Sequence, residues 1–178
     1  MERKLNNMKK IYFAGKFNLI KDKKLSLEKR LVNDFRAQIL GNSKKLTYAD
    51  ENTKLNENYI YKGPFYCEQA SNGDFTSTDC NVVLNSEYKA VSESDIYFAV
   101  FDENFSVGTI VELGWAIDLN KQIIIFYKEE ASNYQIKSEY WFAIADAMKR
   151  SNKIKVYKFN NIKEVISEIK EGSVLNEI

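Results

Sequence analysis

Three short stretches of consecutive apolar residues constrain the fold of this chain more than any other feature. They cover residues 11–14, 96–101 and 123–127, and their β-branched and aromatic side chains occupy successive positions rather than alternating ones. A weaker stretch of the same kind covers residues 154–159. Such runs are typical of parallel strands that are covered on both faces.

Helical patterns separate these runs. Apolar side chains recur every three or four residues in segments 25–40 and 108–119, and segments 140–149 and 162–169 also look helical. Strands that alternate with helices imply right-handed crossovers and a parallel sheet between two helix layers. We expect one α/β domain over residues 1–178, a length that suits a single domain, with tails at 1–9 and 173–178.

Residues 42–79 interrupt the alternation of strands and helices. This segment is polar, contains Gly63, Pro64 and Gly73, and shows no sustained period. A loop of this length inside a compact domain usually has a function.

The composition excludes several kinds of site. The chain contains no histidine, which removes Ser-His and Cys-His nucleophile pairs and most zinc sites. Neither the GxGxxG fingerprint nor the GxxxxGK[ST] phosphate loop is present, which argues against hydride transfer with NAD(P) and against ATP hydrolysis. Catalysis must therefore use carboxylates, tyrosine or lysine.

Charge and cysteine content limit the partners and the compartment. The formal charge of +1 offers no broad basic surface for duplex nucleic acid or for an anionic membrane. Cys67 and Cys80 form no CxxC motif, and we expect two free thiols. No apolar stretch reaches the roughly 18 residues that span a bilayer, so the sequence predicts a cytoplasmic protein.

The residues that follow the predicted strands are the first candidates for a site, because ligands of open α/β sheets bind at the carboxyl ends of the strands. Segment 104–117 follows one such strand and has a single charged residue, Glu112. If Ser106 caps the following helix, Glu112 falls in its second turn, near the positive helix pole. The alternative is a Glu112 that faces solvent or pairs with a lysine.

A second acid, Glu87, lies where we expect a short helix to open before the strand at residue 96. Two carboxylates can act as nucleophile and general acid, as in glycosyl transfer, although Glu87 could also be a solvated helix acid. Tyr12 is either a core residue or a partner of an active carboxylate. Phe17 and Phe65 either pack in the core or contact a flat ligand, and residues 140–142 are expected to pack on the core or on another subunit.

Four motifs together resemble the nucleoside 2-deoxyribosyltransferase family. They read Ile-Tyr-Phe-Ala-Gly at 11–15, Tyr-Lys-Gly at 61–63, Ser-Asp at 94–95 and Gly-Thr-Ile-Val-Glu-Leu-Gly-Trp-Ala at 108–116. Their order and spacing match over residues 10–127. The resemblance implies a flavodoxin-like αβα sandwich with a parallel sheet of about five strands.

The resemblance also implies catalytic roles. The glutamate that matches Glu112 attacks the anomeric carbon of a nucleoside and forms a glycosyl ester, while the tyrosine that matches Tyr12 contacts this nucleophile. The family acid that protonates the departing base falls on Glu87, eight residues before Asp95, where the family usually has an aspartate. Asn85 or Ser86 replaces Glu87 as the neighbour of the base if the helix register shifts.

Two departures from the family pattern concern the substrate. Ser106 stands where the transferases have an aspartate, and it resembles the serine of nucleoside 5′-monophosphate N-glycosidases that contacts phosphate, beside a possible cation at Lys16. Ile60 replaces a base-contacting glutamine, so the base preference cannot be transferred. The predicted substrate-binding residues are Gly15, Lys16, Phe17, Gly63, Pro64, Phe65, Asp102, Ser106 and Gly108.

The family needs no metal or organic cofactor, so the expected partners are a nucleoside or nucleotide and, for transfer, a free base. Family members are homo-oligomers that share active sites, and residues 138–142 and the C-terminal tail are candidates for that contribution. No sequence motif distinguishes transfer from hydrolysis, but Ser106 and Lys16 favour hydrolysis. Two other hypotheses are a nucleotide-sensing module without turnover and an interaction domain that uses residues 140–142.

Overall fold

The four apolar runs form four of the five strands of one parallel sheet. The computed structural model describes residues 8–47, 53–66, 78–102, 106–128 and 134–176, with only the backbone at 78–80 and 134–137. The strands are β1 Lys9–Ala14, β2 Tyr59–Gly63, β3 Ile96–Phe101, β4 Gln122–Lys128 and β5 Ile154–Phe159. Their order is β2-β1-β3-β4-β5, with helices on both sides of the sheet. This is the flavodoxin-like order of a doubly wound α/β fold, so the predicted fold class is confirmed.

Seven α-helices lie within the described part of the chain. They are α1 Leu27–Arg30, α2 Phe35–Leu40, α3 Thr78–Glu93, α4 Val107–Asp118, α5 Tyr134–Arg150, α6 Ile162–Glu171 and α7 Ser173–Asn176, together with a 3-10 helix at Ser43–Leu46. Among these helices, none is long and apolar enough to cross a membrane.

The chain divides into two compact units. The first comprises Met1–Tyr12 and Phe17–Ser94, and the second comprises Phe13–Lys16 and Asp95–Ile178. In the first unit β1 pairs with β2, where Tyr12 lies opposite Gly63 after an irregularity in the register. Helix α3 is tied to β2 by an ion pair of 3.1 Å between Lys62 Nζ and Glu93 Oε2.

The second unit is built around a row of aromatic rings that crosses its strands. Phe98 on β3 stacks on Phe126 of β4, with ring centroids 5.3 Å apart, and Phe126 stacks on Tyr157 of β5 at 5.0 Å. Phe13, at the end of β1 that belongs to this unit, packs against Phe98 with ring centroids 5.1 Å apart. Each of these rings lies in one of the apolar runs, and Phe13, Phe98 and Phe126 are buried, so the runs predict these strands and much of their core.

The predicted helix over 25–40 is wrong, because two short helices replace it. Ser26 caps α1 and Asp34 caps α2, each with extended backbone at the cap. An extended residue cannot continue a helix, so the chain breaks before Asp34. Leu31 and Phe35 are still buried, which shows that their spacing reported burial rather than one continuous helix.

The prediction of an uninterrupted loop over 42–79 is also wrong. The 3-10 helix and β2 lie inside this segment, and all five residues of β2 are buried. Polar neighbours on both sides of residues 59–63 hid the strand. The prediction of two free thiols concerns the side chains of Cys67 and Cys80, which lie outside the described part of the structure. Residues 67–77 lie outside it as well.

The end of the described chain differs from the tail predicted over 173–178. Residues 173–176 form α7, whose Val174 and Leu175 are buried. Gly172 ends α6 in a left-handed conformation with φ 73°, which reverses the chain into α7.

Candidate active site

The strand order places the switch point of the sheet at β1 and β3, whose carboxyl ends are the expected ligand position in this fold. Residues Gly15 and Lys16 follow β1, and Asp102 follows β3, all within the second unit. Gly15 has φ 146°, a backbone conformation that favours glycine. Lys16 is exposed in this unit.

Helix α4 begins as the sequence predicts. Ser106 is its N-cap: the Ser106 hydroxyl oxygen accepts hydrogen bonds from the Thr109 backbone N–H at 3.4 Å and from Thr109 Oγ1 at 2.9 Å. The Tyr97 hydroxyl of β3 donates to the Thr109 carbonyl at 2.8 Å. The first turn of α4 is therefore fixed to β3 by a buried hydrogen bond.

Glu112 lies in the second turn of α4 and is only 6% exposed. Among the described residues only two carboxylates are buried, Asp34 and Glu112. Burial raises the pKa of Tyr97 well above its usual value, and the negative charge of Glu112 adds to this effect. The Glu112 carboxylate is therefore close enough to act on the Tyr97 hydroxyl. The burial of Glu112 rules out the solvent-facing alternative.

Tyr140 belongs to the packing beside Asp102 and Ser106. Its ring lies 4.6 Å from Phe101 at the end of β3, and the side chain is buried. Burial and the negative charge of Asp102 raise the pKa of Tyr140, while a backbone hydrogen bond with Ser106 acts in the opposite direction. Trp141 and Phe142, the next residues on α5, are 67% and 70% exposed.

The first unit holds Tyr12 and the Gly63–Pro64 turn. Tyr12 is fully buried, and a Cβ atom added to Gly63 would lie 3.3 Å from Tyr12 Cε2. Gly63 also has φ 140°, so both its conformation and the close approach of the ring require glycine here. The Tyr61 hydroxyl donates to the Pro64 carbonyl, and the ring of Phe65 stands edge-on to Tyr61 at 5.4 Å.

Glu87 lies in the middle of α3, because this helix begins at Thr78 rather than at Glu87 as the sequence suggested. The side chain is half-buried, whereas Asn85 and Ser86 are exposed. Burial raises the pKa of Glu87, and the charge of Arg36 partly opposes this effect. Of these three residues only Glu87 is both an acid and shielded from solvent, so it is the best candidate for the proton donor.

Sequence reasoning missed Arg36, which is completely buried in the first unit. Its Nε and Nη2 atoms donate to the two carboxylate oxygens of Asp34 at 2.7 and 2.8 Å. Its guanidinium carbon lies 3.7 Å from the centroid of the Phe17 ring. An arginine in an amphipathic pattern is expected to face solvent, so only the N-cap preference of Asp34 offered a signal.

The predicted site residues thus fall into two sets. The second unit holds Gly15, Lys16, Asp102, Ser106, Gly108 and Glu112, and the first holds Tyr12, Phe17, Gly63, Pro64, Phe65 and Glu87. Gly108 is exposed, with no atom within 4 Å of an added Cβ. No packing contact therefore requires glycine at position 108, and its role in binding stays a prediction.

The fold and the buried Glu112 in the second turn of α4 define an α/β protein with a carboxylate on the helix that follows β3. The sequence profile of the family described as nucleoside 2-deoxyribosyltransferase matches residues 11–160. The chain belongs to this family, as the four motifs indicate. No curated protein matches the chain.

Solved structures resemble the chain over most of its length. BlsM aligns with a TM-score of 0.56 at 14% identity, covering 92% of this chain and 88% of that protein, which shows a shared fold. The CMP N-glycosidase BcmB of Clostridium botulinum aligns at 0.49 and 20% identity, covering 92% and 99%. A conserved protein of Enterococcus faecalis V583 aligns at 0.48 and 17% identity, covering 92% and 98%.

Proposed function

We propose that this chain cleaves or transfers the N-glycosidic bond of a nucleoside or nucleotide, with Glu112 as the nucleophile. The observation that carries the proposal is the buried Glu112 carboxylate in the second turn of α4, inside the region that matches the family profile. A carboxylate in this position can attack an electron-poor anomeric carbon and trap it as an ester.

The reaction proceeds in two displacements. A Glu112 oxygen bonds to the anomeric carbon while the bond from that carbon to the base nitrogen breaks, and the electron pair of this bond leaves with the base. Glu87 donates a proton to the departing base. Water or a second base then attacks the anomeric carbon from the side opposite Glu112 and gives up its proton to the Glu87 carboxylate. The bond from the anomeric carbon to the Glu112 oxygen breaks, so that the configuration is retained overall.

The environment of Glu87 suits a proton donor. Because burial raises its pKa, more of this carboxyl stays protonated as the pH approaches neutrality. Tyr12 is proposed to position the nucleophile, as the family pattern implies. Its complete burial against Gly63 holds the ring in one place.

The binding residues that the family pattern predicts are proposed to hold the substrate. Ser106 and exposed Lys16, together with the N-terminus of α4, suit a 5′-phosphate, because helix N-termini and ammonium groups attract anions. A phosphate in that place favours nucleotide hydrolysis over transfer. The remaining predicted binding residues line the sugar and base positions: Gly15, Phe17, Gly63, Pro64, Phe65, Asp102 and Gly108.

The proposal is tested by chromatography of ribo- and deoxyribonucleosides and their 5′-monophosphates after incubation with the protein, with and without a second free base. Base released in water indicates a hydrolase, and exchange that requires the second base indicates a transferase. Glu112→Ala should abolish either reaction, whereas Glu28→Ala, which removes an exposed glutamate of α1, should not.

Turnover that survives Glu112→Ala would contradict the mechanism. Saturable binding of an intact nucleotide without turnover by the unmutated protein would favour the sensing module instead. The chromatogram shows directly whether turnover has occurred, because the intact substrate and the free base elute apart.

A further inference from the structure

We propose that the buried Asp34–Arg36 pair is a positioning device for Phe17, which it holds as a fixed platform for a planar nitrogen heterocycle. This inference rests on the proposed function, because it assigns the base of the nucleoside or nucleotide to the Phe17 ring. It concerns Asp34, Arg36, Phe17, Asn18 and Tyr66, all in the first unit.

The pair is unusual for its burial and its geometry. Both side chains are completely inaccessible, and the two parallel hydrogen bonds of 2.7 and 2.8 Å form a bidentate contact. A buried ion pair is weak evidence of a gain in stability, because apolar residues of similar volume often serve as well. A bidentate arginine does fix direction, since its planar fork permits one orientation.

Asp34 connects two segments of the chain. Besides Arg36 Nε and Nη2, its carboxylate accepts the backbone N–H of Arg36 at 3.0 Å as the N-cap of α2. It also accepts the backbone N–H of Asn18 at 2.9 Å. The residue directly after Phe17 is thereby fastened to the start of α2.

Arg36 completes the connection through the side chain of Phe17. Its guanidinium carbon lies 3.7 Å from the centroid of the Phe17 ring, which is a cation–π contact. The Phe17 and Tyr66 rings are T-shaped to each other, with centroids 5.1 Å apart. Phe17 itself is only partly buried, so a share of its surface remains accessible. Backbone and ring are thus both held next to the residues that follow β1.

The groups around Arg36 are those already assigned to the site. Tyr12 and Tyr61 lie within the range of its charge, and so does Glu87. A fixed arginine in this place holds the Phe17 ring in one orientation. A base that stacks on the ring then loses little conformational entropy of the protein on binding. The chemistry that fits is a flat heterocyclic base rather than an alcohol or an aliphatic amine.

The test uses a double variant, because Arg36→Met alone would leave Asp34 buried and unpaired. Asp34→Asn/Arg36→Met keeps a capping side chain and an acceptor for Asn18 while it removes the guanidinium group. Arg150→Met, which removes an exposed and ion-paired arginine of α5, is the matched control. Thermal melting establishes which variants fold.

Binding is measured by calorimetry with ribo- and deoxyribonucleoside 5′-monophosphates of the five common bases, in a Glu112→Ala background that prevents turnover. The double variant should raise Kd about tenfold, the scale of one lost base–aromatic stack. In a Phe17→Leu background the same double variant should change Kd by less than about twofold, because the two changes act through one ring. Arg36→Lys, which keeps the charge but loses the planar fork, should resemble the double variant.

Equal losses of affinity with Phe17 intact and in the Phe17→Leu background would overturn the inference, as would an unchanged Kd in a folded double variant. If no variant at Arg36 folds, the pair is a folding element and the inference is also wrong. Failure of the proposed function has a different signature. Nucleotides would then bind with the predicted dependence on Arg36 and Phe17, but the unmutated protein would release no base.

Discussion

At the scale of single residues, the two carboxylates proposed to do chemistry are both shielded from solvent. Glu112 is buried and Glu87 is half-buried, while Glu139 is exposed on α5. Burial makes an ionised carboxylate a stronger nucleophile or shifts a carboxyl toward its protonated form, depending on its neighbours. The two roles of a retaining glycosyl transfer require one group of each kind.

Glu87→Gln should change the pH profile in a defined way. A carboxyl donates its proton only below its pKa, and burial raises that pKa, so kcat/KM should fall as the pH rises through it. The variant should lose about 10²- to 10⁴-fold in kcat and should also lose this alkaline limb. The measurement is kcat/KM as a function of pH for both proteins.

A substrate whose base leaves without protonation is the control for Glu87. On such a substrate Glu87→Gln should react nearly as fast as the unmutated enzyme. An equal loss on both kinds of substrate would show that Glu87 is not the proton donor.

At the scale of elements, the junctions at the ends of strands carry the constraints. Tyr97 on β3 fixes the first turn of α4, and Gly63 at the end of β2 makes room for the ring of Tyr12 on β1. Each contact sets the position of one element that bears a proposed catalytic group. Substitutions at these junctions therefore test the link between packing and activity.

Gly63→Ala should destabilise the protein by about 1–3 kcal/mol, because alanine would be strained at φ 140° and its Cβ would press on Tyr12. Gly108→Ala is the matched control, since its added Cβ meets nothing within 4 Å and alanine is favoured over glycine in a helix by about 1 kcal/mol. Urea unfolding of both variants gives the comparison. Equal stabilities would show that Gly63 is not constrained.

Tyr97→Phe removes the hydrogen bond to the Thr109 carbonyl and leaves that buried acceptor without its phenol donor. Because the Thr109 carbonyl keeps its helical partner, the expected loss is about 0.5–1.5 kcal/mol in the free energy of unfolding, with a lower kcat as α4 loosens. Tyr88→Phe, at an exposed position on α3, should change neither quantity. A folded Tyr97→Phe protein of full stability would contradict the role of this contact.

At the scale of the whole molecule, the exposed pair Trp141 and Phe142 supports the proposal that copies of the chain associate. Large exposed aromatic side chains on one helix are typical of interaction sites. Trp141→Glu should therefore shift the mass measured by light scattering toward that of the 20.7 kDa monomer and should lower activity if sites are shared. Met148→Glu, also exposed on α5, is the control, and an unchanged mass for Trp141→Glu would refute the proposal.

The sequence predicted the fold well because burial on both faces of a strand leaves an uninterrupted apolar run, as in β3 and β4. It singled out Glu112 as a candidate because a lone charge in an apolar helix is visible without coordinates, and the structure shows that this side chain is buried. It missed β2, whose five residues have polar neighbours, and it missed Arg36, whose burial depends on Asp34 adopting an N-cap. Such features depend on contacts across the chain, which local patterns do not encode.

The most direct test of the account is the detection of the glycosyl-enzyme ester. The enzyme is incubated with 2′-fluoro-substituted nucleosides and 5′-monophosphates, which slow release of the sugar, then quenched in acid and weighed by intact-protein mass spectrometry. We predict a mass increase equal to one glycosyl or phosphoglycosyl group, located on the peptide that contains Glu112 and absent from Glu112→Gln. An adduct on another residue, or turnover of these substrates with no adduct at any time, would contradict the assignment of Glu112 as the nucleophile.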